Sequence, residues 1–197
     1  MRIVISEFIS LDGVVQAPGG PEEDTDGGFA HGGWTHPFFD PEVVGAAFTD
    51  AMANAEALLY GRRTWQGMAA AWPERAGDPF ADRMNALPKY VVSQTLGEDD
   101  LTWNTTRIPG DEAVARIRKL HETGDGDLVV MGSPTLVRTL LHEGLVDELR
   151  LVTMPVIVGG GKTIFPGDGA LRTLELVSAV TGGTGAQVCV YRPVAGG

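Results

Sequence analysis

Apolar runs of strand length alternate along this chain with stretches of helical period, and two of those runs end in a glycine that leads straight into a helix start. This alternation constrains the fold more than any other feature. Successive strand–helix units pack as a mostly parallel sheet covered by helices. Arg2 to Ile9 is β-branched and largely apolar, a first strand. From Ser10 to about Asp40 the chain is rich in Gly, Pro and Asp and has no period. A stretch of about 30 residues without structure is unusual in a compact domain, so it is expected to be disordered or functional. Its acidic group, Glu22, Glu23, Asp24 and Asp26, reads as a solvated loop.

Pro41 opens a helical pattern in which Val43, Val44, Ala47, Phe48, Ala51 and Met52 share a face. Ala55 to Tyr60 is expected as a strand, Arg62 to about Ala71 as a helix, Lys89 to Ser93 as a strand and Thr102 to Thr106 as a short one. Asp111 to Glu122 is an amphipathic helix, Asp127 to Met131 a strand, and Pro134 to Glu143 a helix. Leu149 to Val158 reads as a strand disturbed by Pro155. Thr173 to Thr181 and Ala186 to Arg192 read as a hairpin turning at Gly182-Gly183. The expected fold is a single α/β domain over 1–197, with a mostly parallel central sheet, flanking helices and a C-terminal antiparallel hairpin.

The two glycine turns carry the chemistry. In Leu58-Leu59-Tyr60-Gly61-Arg62-Arg63-Thr64-Trp65 a buried strand delivers two guanidinium groups and a hydroxyl to a helix N-terminus. Free backbone N–H groups, the helix dipole and forked arginine donors all favour phosphate there. In Val129-Val130-Met131-Gly132-Ser133-Pro134-Thr135-Leu136 the same theme returns, with Ser133 as cap and Pro134 at the first helical position. Both turns fall at the carboxyl ends of parallel strands, the edge where open α/β sheets bind ligands. A dinucleotide with an extra ribose phosphate satisfies both.

The formal net charge is −11, which disfavours nucleic acid and anionic membrane surfaces. No apolar run approaches the ~20 residues of a membrane span, and no signal peptide precedes the first strand, so the cytoplasm is the expected location. Cys189 is the single cysteine, which excludes an internal disulfide and a cysteine zinc site. His31, His36, His121 and His142 lack paired ligand spacing, so no metal is expected. Gly161-Lys162-Thr163 is not a P-loop, because the residue five before Gly161 is Val156 and Phe165-Pro166-Gly167 replaces the required helix.

Gly61-Arg62-Arg63-Thr64-Trp65 resembles the G-R-x-T-W segment of dihydrofolate reductases, and Lys89-Tyr90-Val91-Val92-Ser93 their next strand. Gly132-Ser133 stands where that family has a Gly-Gly pair. Ser10-Leu11-Asp12-Gly13 is similar to the S-L-D-G of riboflavin-biosynthesis reductases. Gly144-Leu145-Val146-Asp147-Glu148-Leu149, with Pro155 and Gly159-Gly160-Gly161, is similar to their G-L-V-D-E-L…P…G-x-G. The chain is identified by these ordered segments as a stand-alone member of the dihydrofolate reductase-like superfamily, of the riboflavin-type reductase branch.

That resemblance implies an NADPH-dependent oxidoreductase that passes hydride to a pyrimidine- or pterin-like heterocycle. By position, Gly61, Arg62, Arg63 and Thr64 would hold the adenosine 2′-phosphate. Ser93 and Gln94 would line the adenosine, and Gly132, Ser133, Thr135 and Leu136 would cover the pyrophosphate. Asp12 would supply the proton, directly or through water, Gly13 and Trp34 would meet the substrate, and Lys162 would touch a substrate phosphate. Departures lie on the substrate side: Gly45 stands where dihydrofolate reductases carry a helix acid, and a D-N-P-x-L-T segment is missing. The alternative is a non-catalytic NADP(H)-binding or sensor protein on the same fold. Apolar edge strands near the C-terminus make a homodimer the expected assembly.

Overall fold

A computed structural model of the protein describes residues 1–75 and 77–194. Its centre is one eight-stranded sheet with the order β4-β3-β2-β5-β1-β6-β8-β7. The strands are β1 (Arg2–Ser10), β2 (Ala55–Gly61), β3 (Lys89–Val92), β4 (Thr105–Ile108), β5 (Asp127–Val130), β6 (Glu148–Met154), β7 (Leu174–Thr181) and β8 (Gln187–Pro193). The strands from β4 to β6 in that order are all parallel. β8 pairs antiparallel with β6, and β7 antiparallel with β8. The expected mixed α/β class, with a parallel sheet closed by an antiparallel pair, is what the chain forms.

Helices cover both faces. On one side Trp65 of α2 (Arg62–Ala71), Met84 of α3 (Pro79–Ala86) and Met52 of α1 (Ala46–Met52) pack on Val4, Leu58, Tyr60 and Val129. On the other, Ile117 of α4 (Ala113–Thr123) and Leu136, Val137 and Leu140 of α5 (Pro134–His142) pack on Ile3, Ile5, Leu59 and Val130. The parallel strands are buried on both faces, which is why their sequences run apolar without alternation.

Several elements differ from those the pattern predicts, among them β4, which runs Thr105–Ile108 and not Thr102 to Thr106. α3 is an additional helix: Asp78 Oδ1 accepts the Ala81 N–H at 2.9 Å and Pro79 takes the first turn. The Pro41 helix opens with one π-turn, Pro41–Gly45, whose N–H groups Asp40 caps at 3.0 and 3.2 Å. β6 ends at Met154, ahead of Pro155, which has no N–H to continue the ladder. The hairpin turns through residues 182–186, with the positive φ of +87° at Gly185, not through Gly182-Gly183 alone.

The stretch from Ser10 to Asp40 is organised, without regular strands, by side chains that reach far along the chain. Gln16 is buried; its amide donates to the Asp24 and Asp26 carbonyls at 3.0 and 3.1 Å and accepts the Lys162 N–H at 3.1 Å. Trp34 Nε1 donates to the Gln16 carbonyl at 2.8 Å. Such bonds order a loop that has no periodicity of its own.

Candidate functional site

The topology opens a crevice at the carboxyl edge between β1 and β5. β1 connects onward to β2 on one side, and β5 connects to β6 on the other, so the chain leaves the two neighbours in opposite directions. The last β1–β5 pair is Ile5↔Val130. Beyond it β1 continues beside β6 alone, and Met131-Gly132 turns away. A cavity of about 1620 Å³ lies over this edge. Open α/β sheets bind ligands at such a switch point.

The two glycine turns meet at one wall of the cavity, because β2 and β5 are neighbours in the sheet. Ser133 Oγ accepts the Gly61 N–H at 2.8 Å and donates to Thr64 Oγ1 at 2.8 Å. Gly132 has φ +80°, and a Cβ placed on it would lie 2.8 Å from Thr64 Cγ2. A Cβ on Gly61 would lie 2.5 Å from Ser133 Oγ. The close approach of these backbones therefore needs both glycines. Arg63, Thr64, Gly132 and Ser133 line the cavity.

The acidic loop contributes the neighbouring wall. Arg63 pairs with Asp26, and its Nη1 lies 4.0 Å from Asp24 Oδ1. Lys162 Nζ pairs with the same two carboxylates, at 2.9 Å from Asp26 Oδ2. Glu22, Glu23, Asp24 and Asp26 are thus not merely solvated, since two of them neutralise the cations beside the glycine turns. Arg62 has no acidic partner among the described residues and touches only Gln66, at 3.4 Å.

A buried carboxylate stands on the strand beside the cavity. Glu7 is only 6% exposed, on β1. Its Oε1 accepts the Gly132 N–H at 2.9 Å, across the gap where β1 and β5 part. Ser6, Glu7 and Phe8 all border the cavity, Glu7 from the opposite sheet face to its neighbours. Burial pushes the Glu7 carboxyl up to about 8, opposed in part by the Gly132 bond and reinforced by Glu23. At neutral pH it is a protonated acid. The signal was a lone carboxylate inside an otherwise apolar strand.

Beyond Glu7 much of the cavity lining is apolar. Phe48, Met68, Trp72, Phe80 and Met84 line it, with Arg75 and Asp78 on its margin. These residues come from α1, α2, α3 and the segment between α2 and α3. Flat apolar walls with few polar groups suit a heterocycle.

Several residues expected at the site lie elsewhere. Asp12 does not line the cavity; its oxygens accept Ser10 Oγ at 2.6 Å, the Val158 N–H at 3.0 Å and the Gly159 N–H at 2.7 Å. Those bonds hold the carboxyl down at about 2, so it is ionised at neutral pH and has no proton to give. Asp12 lies outside the cavity lining and pins the loop after β6. Gly13 forms the adjoining turn, at φ +83°. Trp34 packs with Val44, Val152 and Met154 as a loop anchor rather than as a stacking wall. Ser93 Oγ accepts the Thr95 and Leu96 N–H groups, and Gln94 donates to Asp111. Leu136 is in the core, and Thr135 is exposed on the first turn of α5. Lys162 reaches the site only through Asp24 and Asp26.

The sheet order and the paired glycine turns define a dihydrofolate reductase-like fold with a crevice at its switch point. The model of the RibD C-terminal domain matches residues 2–188, and the chain belongs to that family. YyaP, an uncharacterised protein of Bacillus subtilis, is 27% identical over 195 residues, covering 96% of this chain and 94% of that protein. In fold, a pyrimidine reductase-like protein from Corynebacterium diphtheriae is similar at TM-score 0.63 and 13% identity, over 98% of this chain and 92% of that one. Dihydrofolate reductase from Enterococcus faecalis, solved with NADP(H) and RAB-propyl, is similar at TM-score 0.59 and 18% identity, over 98% and 96%.

Proposed function

We propose that this protein is an NADPH-dependent reductase that transfers hydride to a pyrimidine- or pterin-like heterocycle. The observation that carries the reading is the convergence of Gly61, Thr64, Gly132 and Ser133 into one cradle beside a mostly apolar cavity. The cradle fits a dinucleotide: the two glycines let the turns pack against each other, and Arg63, Thr64, Gly132 and Ser133 line the cavity beside them. Gly132, Ser133 and Thr64 would face the pyrophosphate, and Arg62 and Arg63 the 2′-phosphate. The bound cofactor would supply a hydride. The family and its reductase-like neighbours support the oxidoreductase class, and a neighbour solved with NADP(H) supports the cofactor. The apolar walls support a flat substrate.

The homodimer belongs to the same reading. β7 is the last strand of the sheet, and Leu176, Val177 and Val180 on it are about half exposed. A second copy would cover this apolar edge.

Titration with NADPH and NADH, followed by tryptophan fluorescence, tests the cofactor. The wild type is expected to prefer NADPH. Arg62→Ala should weaken NADPH by about 10- to 100-fold, the worth of a lost charge-assisted hydrogen bond, and leave NADH within about threefold. Equal losses would sink the 2′-phosphate assignment. Binding without turnover of 5-amino-6-(5-phosphoribosylamino)uracil or dihydrofolate would favour the sensor alternative.

The acidic loop sets a second expectation. Asp26 holds Arg63 in the pair described above, and the cofactor phosphate would have to displace that carboxylate. The pair is solvent-exposed, so its worth is at most about 1 kcal/mol. Asp26→Asn should therefore tighten NADPH by about 2- to 5-fold at low salt, with the gain shrinking as salt rises. An unchanged affinity at low salt would show that Asp26 does not compete for the site.

A further inference from the structure

We propose that Glu7 supplies the proton that accompanies hydride transfer in this cleft. The inference rests on the reductase reading and assigns the proton source that the reading leaves open.

Reducing a polarised C=N or C=O bond requires a proton at the heteroatom as well as a hydride at carbon. As hydride from a dihydronicotinamide reaches the carbon, the π pair moves to nitrogen or oxygen. The Glu7 O–H then breaks and an N–H or O–H bond forms. The bound cofactor would supply the hydride and so be the species oxidised; Glu7 is left as a carboxylate, and water reprotonates it.

The geometry favours Glu7 over every other acid near the cleft. Its Oε1 is fixed by Gly132 N–H at 2.9 Å, and Oε2 has no protein partner among the described residues. One oxygen is thus anchored and the other is unpaired among the described residues, on a side chain that lines the cavity. Glu7 lines the same cavity as Gly132 and Ser133 of the glycine turns and as Phe8 and Phe48. The charged groups on the surrounding elements have other partners or places. Glu23 is tied to the Gly19 N–H at 2.6 Å, and Asp24 and Asp26 are tied to Arg63 and Lys162. Glu22 is exposed on the same loop, Arg75 stacks on Trp72, and Asp78 caps α3. Of these Glu23 faces Glu7 with a like charge that favours the protonated form. The Gly132 N–H acts the other way and burial outweighs it, so the proton stays on at neutral pH and comes off in the mildly alkaline range.

The test combines a titration of the unliganded protein with kinetics of Glu7→Gln, which keeps the shape and the acceptor for Gly132. In glutamate labelled with ¹³C at the carboxyl carbon, one resonance that vanishes in Glu7→Gln should titrate near 8. NADPH oxidation with 5-amino-6-(5-phosphoribosylamino)uracil or dihydrofolate as acceptor should fall at least about 100-fold in Glu7→Gln, the usual worth of a positioned acid. NADPH affinity should stay within about threefold. Wild-type kcat/KM should fall as pH rises through that same titration, because the protonated form is the active one. A resonance that titrates in the ordinary carboxylate range would overturn the assignment. So would a variant with the wild-type rate and pH profile, and so would a variant that loses NADPH binding and turnover together. If the wild type binds no NADPH, the reductase reading itself fails and the role of Glu7 falls with it; wild-type turnover with an indifferent Glu7→Gln removes Glu7 alone.

Discussion

Glu7→Gln is expected to stabilise the unliganded protein near neutral pH by about 3 kcal/mol, and to flatten its stability between about pH 5 and pH 8. The cause is proton linkage. In the unfolded chain the carboxyl has its ordinary value of 4.5, whereas in the fold burial holds it at about 8. Between those values the native state carries a proton that the unfolded state has released. Stability therefore falls as pH rises through this window, and the penalty is absent below 4.5 and complete above about 8. Each unit is worth about 1.4 kcal/mol, so some two and a half units separate the unfolded value from pH 7. Glutamine has no proton to lose, and its carbonyl still accepts the Gly132 N–H. Thermal melts of both proteins across the range check this directly. Parallel curves for wild type and variant would mean that Glu7 titrates normally and is not held protonated by the fold.

A residue that costs stability where a neutral isostere would not is the kind of feature that function maintains against folding. The same burial that makes Glu7 expensive keeps its proton on at neutral pH. Expected stabilisation and expected loss of turnover in one variant point to one physical cause.

Much of this fold is readable because its signals are local. The apolar runs, the helical faces of residues 43–52 and 113–120, and the two glycine turns each lie within about ten residues. The apposition of the turns follows once β2 and β5 are neighbours. Asp12 and Trp34 are harder, since an aspartate before glycine and a tryptophan after two glycines have the same local appearance whether they serve a turn or a ligand. Only long-range partners decide: Val158 and Gly159 for Asp12, and Val44 and Met154 for Trp34. The order of residues 14–38 is likewise invisible locally, because Gln16 makes it through contacts with residue 162. Glu7 is a different case. Its neighbours spell a buried strand, and a charged residue almost never enters one without a reason. α3 carried its own sign in Asp78-Pro79, with Ala81 and Met84 on one buried face.

Gly132→Val is expected to unfold the site and to destabilise the protein by about 3–5 kcal/mol, from two separable costs. The first is backbone strain. Gly132 has φ +80°, a conformation that a β-branched residue adopts only at a cost of about 1–3 kcal/mol. The second is collision. A Cβ here would stand 2.8 Å from Thr64 Cγ2, and Thr64 cannot swing away without giving up the hydroxyl bond from Ser133. Overpacking of this kind costs about 1–3 kcal/mol more. The expected fall in melting temperature is about 6–20 °C for a chain of this size. NADPH binding should disappear as well, because the displaced segment carries the Gly132 N–H, the Ser133 hydroxyl and the start of α5. Gly67→Ala is the control within α2: nothing lies within 4 Å of the added Cβ, and the residue is in mid-helix. It should leave stability unchanged or raise it by up to about 1 kcal/mol. A Gly132→Val protein that melts like the wild type and still binds NADPH would mean that the two turns tolerate separation. The cradle would then be incidental packing, and the case for a dinucleotide would lose the observation on which it stands.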